Sequence, residues 1–302
     1  MSIGGMTWRA LVGTAAWALT SSMLLAADLG GAATPERADR GPNQWTLLVA
    51  APYGWLPWIT GETTIKGQTA DVDTNIFEII SEADSIIPWM GYMEARKGKL
   101  SAHLDTIYAN ITFSGDAVRL ANPLPGLSLR LGAQAGIEYE YAIIEAGAAY
   151  EVLGQHTSAG GTALDVFAGG RYWHQDISMR LAISGTFTLP SGFQQTGGFV
   201  TSGSVSADWI DPIIGLRLRH AVAPGQELRV RGDLGGFGVG SDFTWQIVTA
   251  YNFELGESHG IMWSGVVGYR ALYADYSEGS GSDRFAYDLL QHGPMLGLAM
   301  KF

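Results

Sequence analysis

The last third of the chain, residues 208–302, most constrains the fold, because apolar and polar residues alternate there with a period of two, segment after segment. Trp245, Ile247, Thr249, Tyr251 and Phe253 alternate with Thr244, Gln246, Val248, Ala250, Asn252 and Glu254. Leu228, Val230 and Leu234 alternate with Arg229, Arg231 and Asp233, and Leu216 and Leu218 with Arg217 and Arg219. Such a strand has one apolar and one polar face. In a soluble sandwich the apolar face points inward. Strands this long, Gly-rich and edged with Trp and Tyr suit the opposite arrangement, a transmembrane barrel whose apolar face meets lipid and whose charges line the lumen. The final run, Leu290, Pro294, Leu296, Leu298, Met300 and Phe302, ends on an aromatic residue, the residue type expected as an assembly signal on the last strand of an outer-membrane barrel.

Composition fits this reading. Of 302 residues, 47% are hydrophobic and 16% charged, yet beyond the N-terminus no segment has the ~20 consecutive apolar residues of a spanning helix. Alternating strands dilute their own hydropathy signal, and 41 glycines allow strand bends and close packing. Residues 1–33 read as a secretory signal: Arg9 gives a positive start, residues 10–27 are rich in Ala and Leu, and Ala26, Ala27, Ala32 and Ala33 offer cleavage sites. Thr14, Thr20, Ser21 and Ser22 make this stretch a poor membrane anchor. Residues 34–43 read as a linker and 44–302 as the barrel. The chain has no cysteine, which removes disulfides, thiolate metal sites and cysteine nucleophiles. Its net charge of −11 argues against nucleic acid, which needs a basic footprint, and suits acidic outer loops that bind divalent cations.

In chain order, residues 44–59 form a first strand with Trp45, Tyr53, Trp55 and Trp58, interrupted where Pro52 and Pro57 lack a ladder donor. A hairpin turning at Lys66 and Gly67 follows. Asn75 with Glu78 then resembles a capping box opening a short helix over about 76–84, either a cover on the first outer loop or a plug over the lumen. Strands are expected over 88–97 and 100–113, then a loop over 116–126 marked by Asn122, Pro123 and Pro125. Within 129–150, Ile137, Tyr139, Tyr141 and Ile143 alternate with Glu138 and Glu140. The apolar parity then switches to Ile144, Ala146, Ala148 and Tyr150, which predicts a bulge near Ile143. A turn over 154–161, a strand over 162–183 and a long outer excursion over 184–206 precede the closing series, whose turns fall at 223–226, 239–242, 255–260 and 278–283. The total is an all-β, antiparallel up-and-down barrel of about ten strands, with eight or twelve as alternatives.

Several runs resemble a widespread family of uncharacterised proteobacterial outer-membrane β-barrel proteins. They are Asp208-Trp209-Ile210-Asp211-Pro212 with Gly215 and Arg217, Gly232-Asp233 with Gly235-Gly236-Phe237-Gly238, Ser241-Asp242, Trp245-Gln246, Gly268-Tyr269-Arg270, Asp275-Tyr276 and Gly293-Pro294. The likeness reaches back through Trp55-Leu56-Pro57 and Asp105-Thr106-Ile107-Tyr108. It implies a location in the outer membrane of a Gram-negative bacterium, with that membrane's lipid, lipopolysaccharide and barrel assembly machinery as partners. It implies no substrate, so no catalytic residue is carried over.

The candidate site is the lumen. Arg96, Arg171, Arg217, Arg219, Arg229, Arg231 and Arg270 stand against Glu94, Asp105, Glu138, Glu140, Asp165, Asp211 and Asp233, nearly matched in sign. In a barrel this narrow, paired charges act as a structural network or line a narrow solute pore. A rim hydrolase would use His174 with Asp176, but no Gly-x-Ser-x-Gly, His-Glu-x-x-His or complete dinucleotide fingerprint accompanies them, and no cofactor motif is present. The remaining alternative is a soluble periplasmic β-protein.

Overall fold

The computed structural model describes residues 44–124, 127–157, 160–188 and 194–302; the signal and linker expected at 1–33 and 34–43 lie outside them. The strands are β1 (Trp45–Ala50), β2 (Tyr53–Trp55), β3 (Trp58–Ile65), β4 (Gln68–Asn75), β5 (Ser85–Lys97), β6 (Leu100–Leu124), β7 (Leu127–Thr157), β8 (Gly160–Thr188), β9 (Gln194–Ala223), β10 (Gln226–Gly235), β11 (Phe243–Ser258), β12 (Ile261–Glu278) and β13 (Phe285–Lys301), with one short helix, α1 (Ile76–Glu82).

From β5 to β13 each strand pairs antiparallel with the next. The ring closes through β1, β2 and β3, successive pieces of one wall strand that all pair with β13, while β1 also pairs with β5. The breaks between the pieces fall beside Pro52 and Pro57, which have no N–H for the ladder. The result is a transmembrane up-and-down barrel of about ten strands, with β4 added as the hairpin partner of β3. At the end where Phe302 exchanges backbone hydrogen bonds with Leu47, the turns are short. Gly225 with φ 73° makes one of them, and His259 and Gly260 with φ 54° and 77° make another. At the other end the wall is ragged. β10 has 10 residues, about the length that crosses a membrane, whereas β6, β7, β8 and β9 have 25, 31, 29 and 30 and continue well past it.

Leu104, Ile144, Val166, Ile214, Leu216, Leu296 and Leu298 are exposed on the outer wall. Aromatic residues bracket them, with Trp45 and Tyr150 toward the short-turn end and Trp58 and Trp89 toward the extended end. In β6–β9 the buried, inward residues are odd-numbered, from Ser101 to Ile111 in β6 and from Ala207 to Arg217 in β9.

Three expectations change here. The loop foreseen over 116–126 is mostly strand, since β6 runs to Leu124 and pairs with β7 through most of that stretch. The bulge foreseen near Ile143 is absent: Ile143 faces Ile107 on one side and Trp173 on the other in unbroken register, and the shift lies between Glu151 and Leu153. Consequently Tyr139 and Tyr141 point inward, while Glu138 and Glu140 take the outer face. There Glu138 accepts a hydrogen bond from Asn110 Nδ2 at 3.0 Å and Glu140 meets Tyr108. The physical reason is the medium. Beyond the lipid the outside of the wall is water and the inside is a packed core, so the alternation keeps its period and reverses its meaning.

The helix also departs from a plug. Asn75 Oδ1 caps it by accepting from Phe77 N and Glu78 N at 3.0 and 3.1 Å. Glu78 accepts instead from Thr74 Oγ1, so the reciprocal half of the box is not made. α1 buries no residue, so it does not fill the lumen.

The chain has no cysteine, so introduced thiols report facing directly. In the folded barrel, Glu140→Cys is expected to react with a bulky polar maleimide at least tenfold faster than Tyr139→Cys; equal rates, or the reverse order, would restore the shifted register.

Candidate functional site

Alternation sends one residue in two into a lumen that a ring of this size leaves barely wider than side chains. What fills it changes along the axis. The half nearer the short turns is charged, and the half nearer the extended end is aromatic.

Arg171, from β8, is the centre of the charged half and has 0% exposure. Its Nη2 donates to Glu145 Oε2 at 2.8 Å and to Asp233 Oδ1 at 2.7 Å, Nε donates to Glu145 Oε2 at 3.1 Å, and Nη1 reaches Thr244 Oγ1 at 3.3 Å. Arg231 comes to the same two carboxylates from the other side, pairing with Glu145 and, at 3.0 Å, with Asp233 Oδ2. Gln246 Nε2 donates to both as well, at 3.3 and 3.2 Å. His103 Nε2 lies 3.1 Å from Glu145 Oε1. Five strands thus converge on one pair of carboxylates.

Nearer the short turns lies a second knot. Asp165, fully buried on β8, accepts from Arg96, Arg217 and Arg219 at 2.8, 2.9 and 3.1 Å. Glu94 accepts from Arg217 and Arg229 at 2.9 and 3.3 Å and from Tyr92 Oη at 2.9 Å, and Glu151 accepts from Arg219 at 2.7 Å. Arg229 also pairs with Glu227 at the mouth. A third unit stands across the lumen, where Arg270 Nη1 donates to Asp105 Oδ2 at 2.8 Å and to Tyr53 Oη at 3.1 Å. Two guanidiniums lie over ring faces, Arg231 over Phe167 at 4.2 Å and Arg270 over Trp55 at 5.1 Å. Space for Phe167 depends on Gly215, where a Cβ would sit 2.6 Å from the ring and 2.3 Å from the Gly232 carbonyl.

Above these, Trp173, Trp209 and Tyr276 stack, and Tyr287 packs against both tryptophans with its ring tilted. The Trp209 and Tyr276 centroids are 4.0 Å apart, and those of Trp173 and Trp209 are 5.4 Å apart. Asp211 belongs to this half and, among the described residues, makes no ion pair with an arginine. Its Oδ2 accepts from Trp173 Nε1 and Ser241 Oγ, both at 2.8 Å, and its Oδ1 accepts from Ser241 N at 2.6 Å. Trp209 Nε1 closes the set on Ser241 Oγ at 2.9 Å. The Gly236–Asp242 turn makes this possible. Gly236 and Gly238 take φ of 82° and 74°, and a Cβ on Gly240 would sit 2.6 Å from Asp211 Oδ1.

The structure therefore brings Glu94, Arg96, Asp105, Asp165, Arg171, Arg217, Arg219, Arg229, Arg231, Asp233 and Arg270 into lumen contacts, moves Asp211 into the aromatic half, and leaves Glu138 and Glu140 outside. Sequence reading missed Glu145, Glu151 and Glu227 as members. The signal was available for Glu145 and Glu151, since both share the parity opposite Ile144, Ala146, Ala148 and Tyr150. His174 and Asp176 lie on the outer parity of β8; His174 Nδ1 is 2.7 Å from Asp208 Oδ1, and Asp176 accepts from Ser178 Oγ. Among the described residues, no group of three or more His, Asp or Glu is arranged to hold a metal ion.

No protein-family model matches the chain, and no curated protein matches it. Among solved structures, it is similar to the outer-membrane protease OmpT from Escherichia coli at 13% identity, covering 85% of this chain and 96% of that one with a TM-score of 0.41. It is also similar to Ail, the attachment invasion locus protein of Yersinia pestis, at 10% identity, 86% and 99% coverage and a TM-score of 0.27. An anion-selective porin from Comamonas acidovorans gives 10% identity, 86% and 99% coverage and a TM-score of 0.26. At such identities and scores none of them carries an argument about what this chain does.

Replacing Arg171 by Met is expected to destabilise the barrel by about 3–5 kcal/mol, because Glu145 and Asp233 are left with less compensating charge out of reach of water. Glu138→Gln on the outer face is expected to stay within about ±0.5 kcal/mol. Reversible denaturant unfolding in lipid bilayers measures both, and equal costs would contradict the placement of Glu138.

Proposed function

We propose that the chain is an integral barrel of a Gram-negative outer membrane, exported by the signal at 1–33 and related to the proteobacterial barrels it resembles, and that it serves the envelope as a closed scaffold rather than as a pore. One observation carries the choice. At mid-lumen, Asp165, Arg171, Trp173 and Asp211 have 0% exposure. A conducting pathway needs charges in contact with water, and here the charges are spent on one another.

In this reading the short-turn end faces the periplasm, with Phe302 presented to the assembly machinery, and the long strands β6–β9 stand outside among lipopolysaccharide. The exposed belt of Ile214, Leu216, Leu296 and Leu298 between aromatic rims supports a lipid contact, since an apolar surface of this kind is unfavourable in water. A rim hydrolase is less well supported. His174 sits on the outer parity against Asp208, and the buried lumen carboxylates are held by arginines or, at Asp211, by Trp173 and Ser241.

The test is a planar-bilayer recording of the refolded mature chain, after a heat-modifiability gel establishes that the barrel has formed. A silent bilayer is the expected result. Steady, ion-selective steps that change with Arg229→Ala or Arg231→Ala would overturn the scaffold in favour of a pore.

A further inference from the structure

We propose that the periplasmic half of the lumen contains a binding site for a short-chain monocarboxylate, a small anion with an apolar body. The charged knots do not fill this half evenly. Beside them lies a cavity of about 110 Å³ with two unlike walls. One wall is apolar and built of Leu48, Val248, Ala250 and Met295 from β1, β11 and β13. The other carries Arg217, Arg229, Arg231 and Arg270, with Asp105 as the single carboxylate in the lining.

The walls specify the occupant. Arg217, Arg229 and Arg231 pair with Glu94, Glu145, Asp165, Glu227 and Asp233, none of which lines the cavity. Asp105, which does, is already taken by Arg270 and Tyr53, so the polar wall presents guanidinium edges and no free carboxylate. Three of the residues that line it hold a buried donor with no partner: Arg231 Nε, Arg270 Nε and Asn252 Nδ2. Donors left without acceptors in a dry interior are costly, and every one of these three calls for an acceptor. Guanidinium forks match a planar carboxylate in a way a point charge does not. Water alone would suit the arginine wall but not the apolar wall opposite, and inorganic phosphate would set its oxygens against Leu48 and Met295 without a hydrogen bond. A carboxylate on a short hydrocarbon chain satisfies both walls.

The cavity exists because the sequence places small residues where the rest of the lumen carries long ones. Ala50, Ala250, Gly297 and Ala299 line it, and none reaches across to the arginines. Arg270, Asp105 and Tyr53 lie toward its inner side. Access is from the short-turn end, where Arg229 and Glu227 are the most exposed members of the network at 24% and 33%.

The experiment titrates the refolded, heat-modifiable mature chain in lipid nanodiscs with butyrate by calorimetry, with inorganic phosphate and butylamine as comparisons. Butyrate is expected to bind at one site, phosphate at least tenfold more weakly, and butylamine not at all. Arg229→Gln should weaken butyrate at least tenfold. Ala250→Leu, which fills the cavity and leaves every charge in place, should abolish binding. Val248→Phe repeats that test from a neighbouring position should the first variant not give a folded band. The proposal fails if butyrate does not bind, if phosphate binds as well as butyrate, or if the cavity-filling variants bind butyrate like the parent. The last two outcomes mean attraction to the arginines alone.

Discussion

The lumen depends on the desolvation of Arg171. A guanidinium with no access to water is tolerable only when its donors are met by carboxylates, and those carboxylates, once buried, need further donors in their turn. Glu145 and Asp233 meet Arg171, and Arg231, Gln246 and His103 complete them. Each requirement names a residue on another strand, so the network ties β6, β7, β8, β10 and β11 together inside the wall, where backbone ladders join only neighbours. Such a network fixes which strands face each other across the barrel, a role that hydrophobic filling, being non-directional, does not perform.

The wall supports this interior by making room for it. Gly215 admits Phe167, on which Arg231 lies, and Gly240 lets the turn after β10 lower Ser241 onto Asp211. Asp211 then marks a boundary in the lumen. On one side carboxylates are neutralised by arginine; at Asp211 the charge is dispersed over an indole N–H, a hydroxyl and a backbone N–H, beneath stacked rings. Where the rings take over, the interior resembles the core of a soluble protein. Where Ala50, Ala250 and Gly297 replace long side chains, it opens into the cavity beside the arginines.

How far the sequence could be read follows the same division. In the closing strands alternation was sufficient. Arg217, Arg219, Arg229 and Arg231 point in and Leu216 and Leu218 point out, because lipid lies outside along that length. In β7 the same rule misled. Tyr139 and Tyr141 looked like lipid-facing residues and Glu138 and Glu140 like lumen charges, and the apparent change of parity at Ile143 suggested a bulge. No residue is displaced there; the surroundings of the wall change from lipid to water, and the apolar face changes sides with them. Asn122 and Pro123 gave a related error, because strands that continue past the membrane tolerate residues a buried strand would not.

The sequence alone determined the architecture: the period of two, the absence of a spanning helix after the N-terminus, the turn glycines and the approximate strand number all follow from local chain geometry and the need to satisfy every backbone group in lipid. It also determined that charges would share the lumen. Tertiary structure decided which of them meet, because Arg171 and Asp233 are 62 residues apart and Arg217 and Glu94 are 123 apart, and only the register and closure of the ring bring them within hydrogen-bonding distance. It decided, too, where the lipid ends along each strand, and so whether an alternating tyrosine is an anchor or a core residue. A two-residue period reports that two faces differ; what lies beyond each face is set by how far along the barrel the strand has climbed.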